Sequence, residues 1–231
     1  MKRYFIFLTL FVSAGCQLFT PKPSLLDDLA CPPPCWQNIV PGISTKQDAL
    51  STLAQLAFID QKSIYAYDPK LVPPKGTPIQ VYDEIIDSNI ASDGQFYSFL
   101  SIYLLKDKVS VISFQLRIYD ITLSEAITKL GEPESIVISP YRENLVFGFV
   151  SPSVGVAFVY STLGQSKKAL SEVYPDARLE SIYFFDPETY AQFLESRFLT
   201  FNQRDSDGTR AHLVPWKGYG AIKELYPPKA P

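Results

Sequence analysis

The chain has 231 residues, of which 46% are hydrophobic and 19% are charged, so it can bury a large core and is too apolar to remain disordered. Its 24 acidic residues outnumber its 21 basic ones and leave a formal net charge of −3, which excludes a broad electrostatic attraction for nucleic acid. Aromatic residues make up 14% of the chain, and β-strands favour side chains of this kind.

The first sixteen residues have the layout of an export signal. Two basic residues stand near the start, an apolar run follows over residues 4–12, and small residues then lead to Cys16. This order predicts a signal peptide over residues 1–15. The apolar run is much shorter than the roughly 20 residues that a membrane-spanning helix needs, which disfavours an uncleaved anchor. Cleavage without any lipid is the other alternative.

The segment Ala14-Gly15-Cys16 resembles the lipobox of bacterial lipoproteins, in which the cysteine receives a diacylglyceryl group before the peptide is cut. Ser13 stands where that motif usually carries leucine or another aliphatic residue. The resemblance implies lipid attachment at Cys16 and a location in the cell envelope, anchored to a membrane by lipid and facing the extracytoplasmic side. Residues 16–30 contain two prolines and predict a lipidated tether to the folded part.

Two further cysteines, Cys31 and Cys35, enclose three prolines. An even pair of cysteines in an exported protein favours a disulfide, and this spacing permits a small bridged loop. Free thiols and a metal site are the alternatives, but the chain offers only His212 as a further soft ligand. We therefore expect a Cys31–Cys35 disulfide and no bound metal.

A short amphipathic helix is predicted after Gly42. Ser44 and Gln47 can form a capping box, in which each side chain bonds a backbone amide of the other residue. The apolar positions that follow have helical spacing, and they are Leu50, Leu53, Ala54 and Ala57.

A second and a third helix follow from similar signals. Thr122 and Glu125 predict another capping box, an apolar face continues to Leu130, and Gly131 predicts the end of this helix. A third helix is predicted to open at Asp186-Pro187, because proline is favoured at the first helical position. Its expected core residues are Tyr190, Phe193, Leu194 and Phe198.

Apolar segments after each of the first two helices predict strands. They are residues 64–67, 79–86, 96–105 and 109–118 in the first group and 135–139, 144–150, 155–160 and 179–185 in the second. Lys106-Asp107-Lys108 predicts a hairpin turn. The repetition predicts an α+β fold in which two tandem helix-plus-antiparallel-meander units form one sheet-based domain. The units are residues 31–120 and residues 121–231, the second with a C-terminal extension.

Residues 121–133 resemble the helix-to-strand signature of the SmpA/OmlA (BamE-like) lipoprotein domain, a capped short helix followed by Leu-Gly-x-Pro. Residues 41–56 resemble a degenerate copy, and the tandem arrangement is similar to the β-lactamase inhibitor protein fold, in which two such units form one concave sheet. Residues 34–42 resemble a motif of uncharacterised bacterial lipoproteins. These resemblances imply no active site, and they imply a protein that scaffolds envelope proteins or binds partners.

No pattern predicts a catalytic residue, a cofactor site or a metal site. His212 has no neighbouring Ser or Cys motif, so a surface role is the simpler interpretation. Residues 205–208 are similar to the start of a calcium loop, but Trp216 stands at the twelfth position, where a bidentate glutamate is required. The pair Asp83-Glu84 is interpreted as solvated charge.

Trp36, Trp216 and Tyr219 are the candidate partner contacts, since exposed Trp and Tyr often anchor interfaces. Alternatively, both tryptophans seal the edge of the core.

The sequence predicts a non-catalytic, lipid-anchored envelope protein that binds a protein partner or supports envelope assembly. An exported hydrolase with a scattered active site and a small-ligand-binding lipoprotein are the alternatives. A deep pocket with converging polar groups would favour either alternative, whereas a shallow sheet lined with Tyr and Phe would favour protein binding.

Overall fold

The computed structural model of the protein describes residues 25–26, 29–71, 81–90, 98–117, 119–141, 143–163, 171–196, 198–199 and 213–227. The predicted signal peptide, Cys16 and most of the predicted tether lie outside these ranges, as do His212 and residues 205–208.

The described residues form an α+β fold with one large antiparallel sheet, which confirms the predicted fold class. Its helices are α1 Lys46–Leu53, α2 Leu123–Leu130, α3 Tyr190–Glu195 and α4 Ile222–Leu225, with 3₁₀ helices at Gln61–Ser63 and Pro187–Thr189. Its strands are β1 Tyr65–Tyr67, β2 Glu84–Ile90, β3 Ser98–Leu105, β4 Lys108–Gln115, β5 Ser135–Tyr141, β6 Asn144–Ser151, β7 Val156–Ser161, β8 Glu172–Val173, β9 Ser181–Phe185, β10 Val214–Pro215 and β11 Gly220–Ala221.

Nine of these strands form the large sheet, in the order β1-β2-β3-β4-β9-β7-β6-β5-β10, and β8 pairs with β11. Neighbouring strands of the large sheet run antiparallel. The turn between β3 and β4 is the predicted one, with φ angles of 52° at Lys106 and 62° at Asp107, as a tight hairpin requires. β4 and β9 pair at the centre of the sheet, with Val111 opposite Phe185.

All eight predicted strands are present, and β2 differs most from its predicted bounds. It begins at Glu84 instead of Ile79 and continues through polar residues to Ile90. Its place is set by pairing with β3, in which Asp87 lies opposite Ser101. The short strands β8, β10 and β11 were not predicted, because two residues are too few to show an alternating pattern.

The cap of helix α1 differs from the predicted one by one residue. Its N-cap is Thr45 and the box partner is Asp48, not Ser44 and Gln47. The Thr45 amide donates to the Asp48 carboxylate (2.8 Å), and the Asp48 amide donates to the Thr45 hydroxyl (3.3 Å). Ser44 is buried and instead accepts a hydrogen bond from the backbone amide of Val40 (2.9 Å), so it cannot cap the helix.

The apolar face of α1 also differs from the predicted face. Ala49 and Leu53 are completely buried, and Leu50 packs partly buried against the same core. Ala54 and Ala57 are exposed, because the helix ends at Leu53.

Helix α2 begins and ends where the sequence predicts. Thr122 is its N-cap and accepts a hydrogen bond from the Glu125 amide (3.2 Å). The predicted box is only half formed, because the Glu125 carboxylate does not accept from the Thr122 amide. Leu130 is buried and Ile127 is partly buried against the core. Gly131 follows with φ 97° and ψ 163°, a backbone conformation that is essentially restricted to glycine.

Helices and loops cover both faces of the sheet. On the first face, α1 and α2 pack over strands from both halves of the sheet. On the second face, α3 places Phe193 against Phe185 with the ring centroids 4.2 Å apart, and the predicted core residues of the third helix all pack there. The middle of the second face is therefore closed, whereas Tyr65, on the edge strand β1, stays 58% exposed.

Candidate functional site

The segment before α1 is fastened by a bridged loop. The structure brings Cys31 and Cys35 to disulfide-bonding distance, with the Cα atoms 5.6 Å apart. Pro34, inside this loop, lies against the turn before β7, since a Cβ atom on Gly155 would be only 2.9 Å from the Pro34 Cβ. The loop thus fixes the point at which the chain coming from the predicted tether enters the domain.

Trp36 is a core residue, so its proposed role as a surface contact is wrong. Its exposed fraction is 0%, and its ring packs edge-on against Phe114 with the centroids 4.8 Å apart. The cause is a tight turn over Trp36-Gln37-Asn38-Ile39, in which the end residues exchange hydrogen bonds of 3.0 and 2.8 Å. Positive φ angles at Gln37 and Asn38 form this turn, and both Trp36 and Ile39 are buried in the core on the first face of the sheet.

The other two candidate contacts lie together in the C-terminal extension. Trp216 is only partly exposed, because it packs against Phe149 (5.4 Å between centroids) and stacks on Tyr226 (6.3 Å). Tyr219 stands perpendicular to Trp216 at 5.6 Å and is 40% exposed. Burial and then the charge of Glu132 raise the pKa of Tyr219. Trp216 therefore seals the core edge, while Tyr219 remains accessible.

A surface that the sequence analysis did not identify lies on the second face beside β1. We call it the tyrosine patch, and it consists of Tyr65, Tyr67, Asp87, Phe99 and Ser101. Strand pairing places Tyr65 opposite Asp87 and Asp87 opposite Ser101, so their side chains share one face. The rings of Tyr65 and Tyr67 stack with centroids 5.6 Å apart.

Asp87 holds one tyrosine of the patch and acts on the other through its charge. The Tyr65 hydroxyl donates to the Asp87 carboxylate (3.2 Å), and the charge of the same carboxylate acts on Tyr67. Burial and then the charge of Asp87 raise the pKa of both tyrosines. Because the carboxylate holds Tyr65 and the ring of Tyr65 stacks on that of Tyr67, the two rings present one aromatic surface. The tyrosines could be found from the alternation Tyr65-Ala66-Tyr67, but their partner depends on the register of β1 and β2.

A cavity of about 490 Å³ opens at the end of the central strand pair, where β4 finishes and β9 begins. Its lining combines both signs of charge with aromatic and aliphatic side chains: Leu116, Arg117, Tyr119, Asp120, Leu163, Tyr174, Asp176, Arg178, Leu179 and Glu180. Arg178 pairs with Asp120 (3.1 Å), and the Glu180 carboxylate accepts a hydrogen bond from the Ser161 hydroxyl. The Arg117 guanidinium lies over the Phe99 ring of the tyrosine patch, 5.5 Å from its centroid.

A smaller cavity of about 320 Å³ lies at the opposite end of the same strand pair. Its carboxylate Asp186 is engaged, because it accepts from the Glu188 amide (3.0 Å) and lies against the backbone at Gly42. Ser110 and Thr189 line this cavity and are joined by a hydrogen bond of 2.9 Å between their hydroxyls. These contacts give this cavity a structural explanation.

The described part of the chain contains no cluster of His, Cys, Asp or Glu side chains that could hold a metal ion. Within the same ranges, no helix is long and apolar enough to cross a membrane.

No protein-family model matches the chain, and no curated protein and no solved structure is significantly similar to it.

Proposed function

We propose that this chain is a lipid-anchored cell-envelope protein that binds a protein partner and has no catalytic role. The observation that carries the proposal is the tyrosine patch, in which Asp87 holds Tyr65, and Tyr65 stacks on Tyr67, on an accessible face of the sheet. Tyrosines that are rigid and half-exposed lose little entropy on binding and are frequent interface anchors. The segment Ala14-Gly15-Cys16 supports the anchor, and the acidic, globular composition disfavours nucleic acid as the partner.

We also propose that the sheet consists of two tandem helix-plus-meander units, as in the BamE-like and β-lactamase inhibitor protein folds that the sequence resembles. Helix α1 precedes the meander β2-β3-β4, and α2 precedes β5-β6-β7, followed by β9. The last strands of the two series, β4 and β9, pair with each other. This arrangement supports a boundary near residue 120 and a role in partner binding, by analogy with the resembled families.

The anchor is tested by replacing the cysteine that would carry the lipid. In Cys16→Ala, incorporation of labelled palmitate should be lost and the protein should remain unprocessed. The matched control is Cys31→Ala with Cys35→Ala, which removes the other two cysteines and should leave labelling intact. Palmitate incorporation that persists in Cys16→Ala would contradict lipid attachment at this residue.

Partner binding is tested by site-specific photocrosslinking in intact cells. A benzophenone amino acid replaces Tyr65 or Tyr219 in the two candidate surfaces, or Ile43, which is 71% exposed and belongs to neither. We expect a protease-sensitive adduct of discrete mass at position 65 and none at position 43. An adduct at position 219 alone would move the interface to the C-terminal extension, and no adduct at either tyrosine would overturn partner binding through these surfaces.

A further inference from the structure

We propose that the cavity at the junction of β4 and β9 is a binding site for a small zwitterionic ligand of the size of an amino acid or a dipeptide. The proposal does not rest on the protein-partner function. The cavity adjoins the tyrosine patch where Arg117 lies over Phe99, but none of the residues of the patch lines it. Binding of a small ligand, which the sequence leaves as an alternative to protein binding, is then a second activity of the same chain.

The size of the cavity suits such a ligand. Pockets that hold small molecules typically span about 300–1,000 Å³, and this cavity measures about 490 Å³. Its aliphatic and aromatic lining, which includes Leu116, Tyr119 and Tyr174, can cover the carbon skeleton and side chain of a dipeptide. Cavities where two halves of a fold meet are also common ligand sites.

The charges of the cavity indicate what the ligand carries. Among the described residues, Arg117 forms no ion pair with a carboxylate, and Asp176 forms no hydrogen bond or ion pair. Arg117 can therefore receive a ligand carboxylate in the two-pronged geometry of a guanidinium, and Asp176 can receive an ammonium group. The ion pair Arg178–Asp120 is exposed and therefore contributes little to the free energy of folding. Either of its side chains can exchange this contact for one with a charged group of the ligand.

The same charges disfavour ligands of a single sign. A phosphate or another polyanion would meet the carboxylates of Asp120, Asp176 and Glu180. A polycation would meet the guanidinium groups of Arg117 and Arg178. A zwitterion satisfies both sets without leaving a like-charge contact, which is how complementary charges produce specificity.

The wall of the cavity is held in place by backbone hydrogen bonds. The amides of Leu123 and Ser124, at the start of α2, donate to the carbonyls of Ala177 (2.8 Å) and Pro175 (2.9 Å). The Leu116 amide donates to the carbonyl of Glu180 (2.8 Å), which ties the end of β4 to the segment that enters β9. These bonds fix the backbone that carries the lining residues, which limits the backbone entropy lost when a ligand binds.

The experiment measures binding to the full chain in mild detergent by isothermal titration calorimetry. The probe is the free dipeptide Ala-Phe, and the matched control probe is Ala-Phe acetylated at its amine and amidated at its carboxyl end. The variants Arg117→Gln and Asp176→Asn each remove one charge from the cavity. The control variants Lys62→Gln and Asp107→Asn each remove one charge from exposed residues that do not line it.

We expect the free dipeptide to bind and the blocked dipeptide to bind at least tenfold more weakly. Arg117→Gln and Asp176→Asn should each weaken binding of the free dipeptide at least tenfold, while the two control variants should leave it unchanged. Absence of binding at millimolar dipeptide, equal binding of the blocked dipeptide, or equal effects of cavity and control variants would each overturn the proposal. Binding of inorganic phosphate in place of the dipeptide would overturn the zwitterionic class.

Discussion

Thr45 and Thr122 hold equivalent positions in the two halves of the sheet. Each is the N-cap of an eight-residue helix, and each accepts a hydrogen bond from the amide three residues later. Thr45 also forms an isolated antiparallel bridge with Lys108, the first residue of β4, and Thr122 forms one with Arg178, shortly before β9. Thr45 therefore joins α1 to the central strand β4, and Thr122 joins α2 to the segment that enters the central strand β9.

This equivalence predicts equal costs for losing either cap. Thr45→Ala and Thr122→Ala should each lower the free energy of unfolding by about 1 kcal/mol, because each leaves a helix amide without its side-chain acceptor. Thr128→Ala is the control, since Thr128 is exposed within α2 and alanine is the better helix former. Urea unfolding of the three variants measures these costs. A loss at only one cap would mean that the two helices do not hold the sheet in the same way.

The packing of α2 predicts a larger cost at its last residue. Leu130 is 5% exposed, so Leu130→Ala should lower the free energy of unfolding by about 2–5 kcal/mol through lost burial and a residual cavity. Leu71, with 79% of its surface exposed, provides the same substitution without a core, and Leu71→Ala should change stability by less than about 0.5 kcal/mol. Equal stabilities of the two variants would show that α2 does not face a core.

The sequence predicted elements where local chemistry decides the outcome. The cap at Thr122, the stop at Gly131 and the hairpin turn at Lys106-Asp107 follow from side chains a few residues apart, and the structure has all three. Features that depend on distant parts of the chain were left open. Trp36 had both a partner-contact and a core-sealing interpretation, and only the structure decides for the core, because no hydrophobic period predicts the turn that buries it.

The candidate surfaces were missed for the same reason. The tyrosine patch exists because the register of β1 and β2 puts Asp87 opposite Tyr65. The cavity combines Arg117, from the segment after β4, with Asp176, from the segment before β9. The order of strands that brings these segments together is a property of the whole sheet, and single-sequence patterns carry no information on it.

Two glycines predict destabilisation by different mechanisms. Gly131→Ala should cost about 1–3 kcal/mol through backbone strain alone, because the φ of 97° is unfavourable and a Cβ atom would meet nothing within 4 Å. Gly148→Ala should lower the free energy of unfolding through a steric clash, because its Cβ would lie 2.7 Å from the backbone carbonyl of Leu199. The cost should exceed that of a clash with a flexible side chain, since the backbone cannot easily move away. Thermal unfolding of Gly148→Ala, with and without Leu199→Ala, tests this second mechanism. Leu199→Ala shortens the side chain but leaves the backbone carbonyl in place, so it should not rescue Gly148→Ala.

Buried tyrosines predict loss of stability at alkaline pH. Burial is the main cause that raises the pKa of Tyr183 to about 12 and the pKa of Tyr82 above its usual range. In the unfolded chain these groups ionise near pH 10, so above that pH the unfolded state releases protons that the folded state retains. Stability should be constant up to about pH 10 and then fall by up to about 1.4 kcal/mol per pH unit for each such tyrosine. Urea unfolding between pH 8 and pH 12 checks this, and unchanged stability at pH 11 would contradict it.

The tyrosine patch predicts a specific change in titration when its carboxylate is neutralised. The charge of Asp87 adds to burial in raising the pKa of Tyr65 and Tyr67, so Asp87→Asn should lower the pKa of both tyrosines. Tyr67 should still titrate above its usual range, because burial is the larger cause there. Tyr119 is an internal control, since burial alone raises its pKa and the substitution should not move it. Carbon NMR of the tyrosine rings across alkaline pH resolves the individual groups, and an unchanged pKa at Tyr65 would show that Asp87 does not hold the patch.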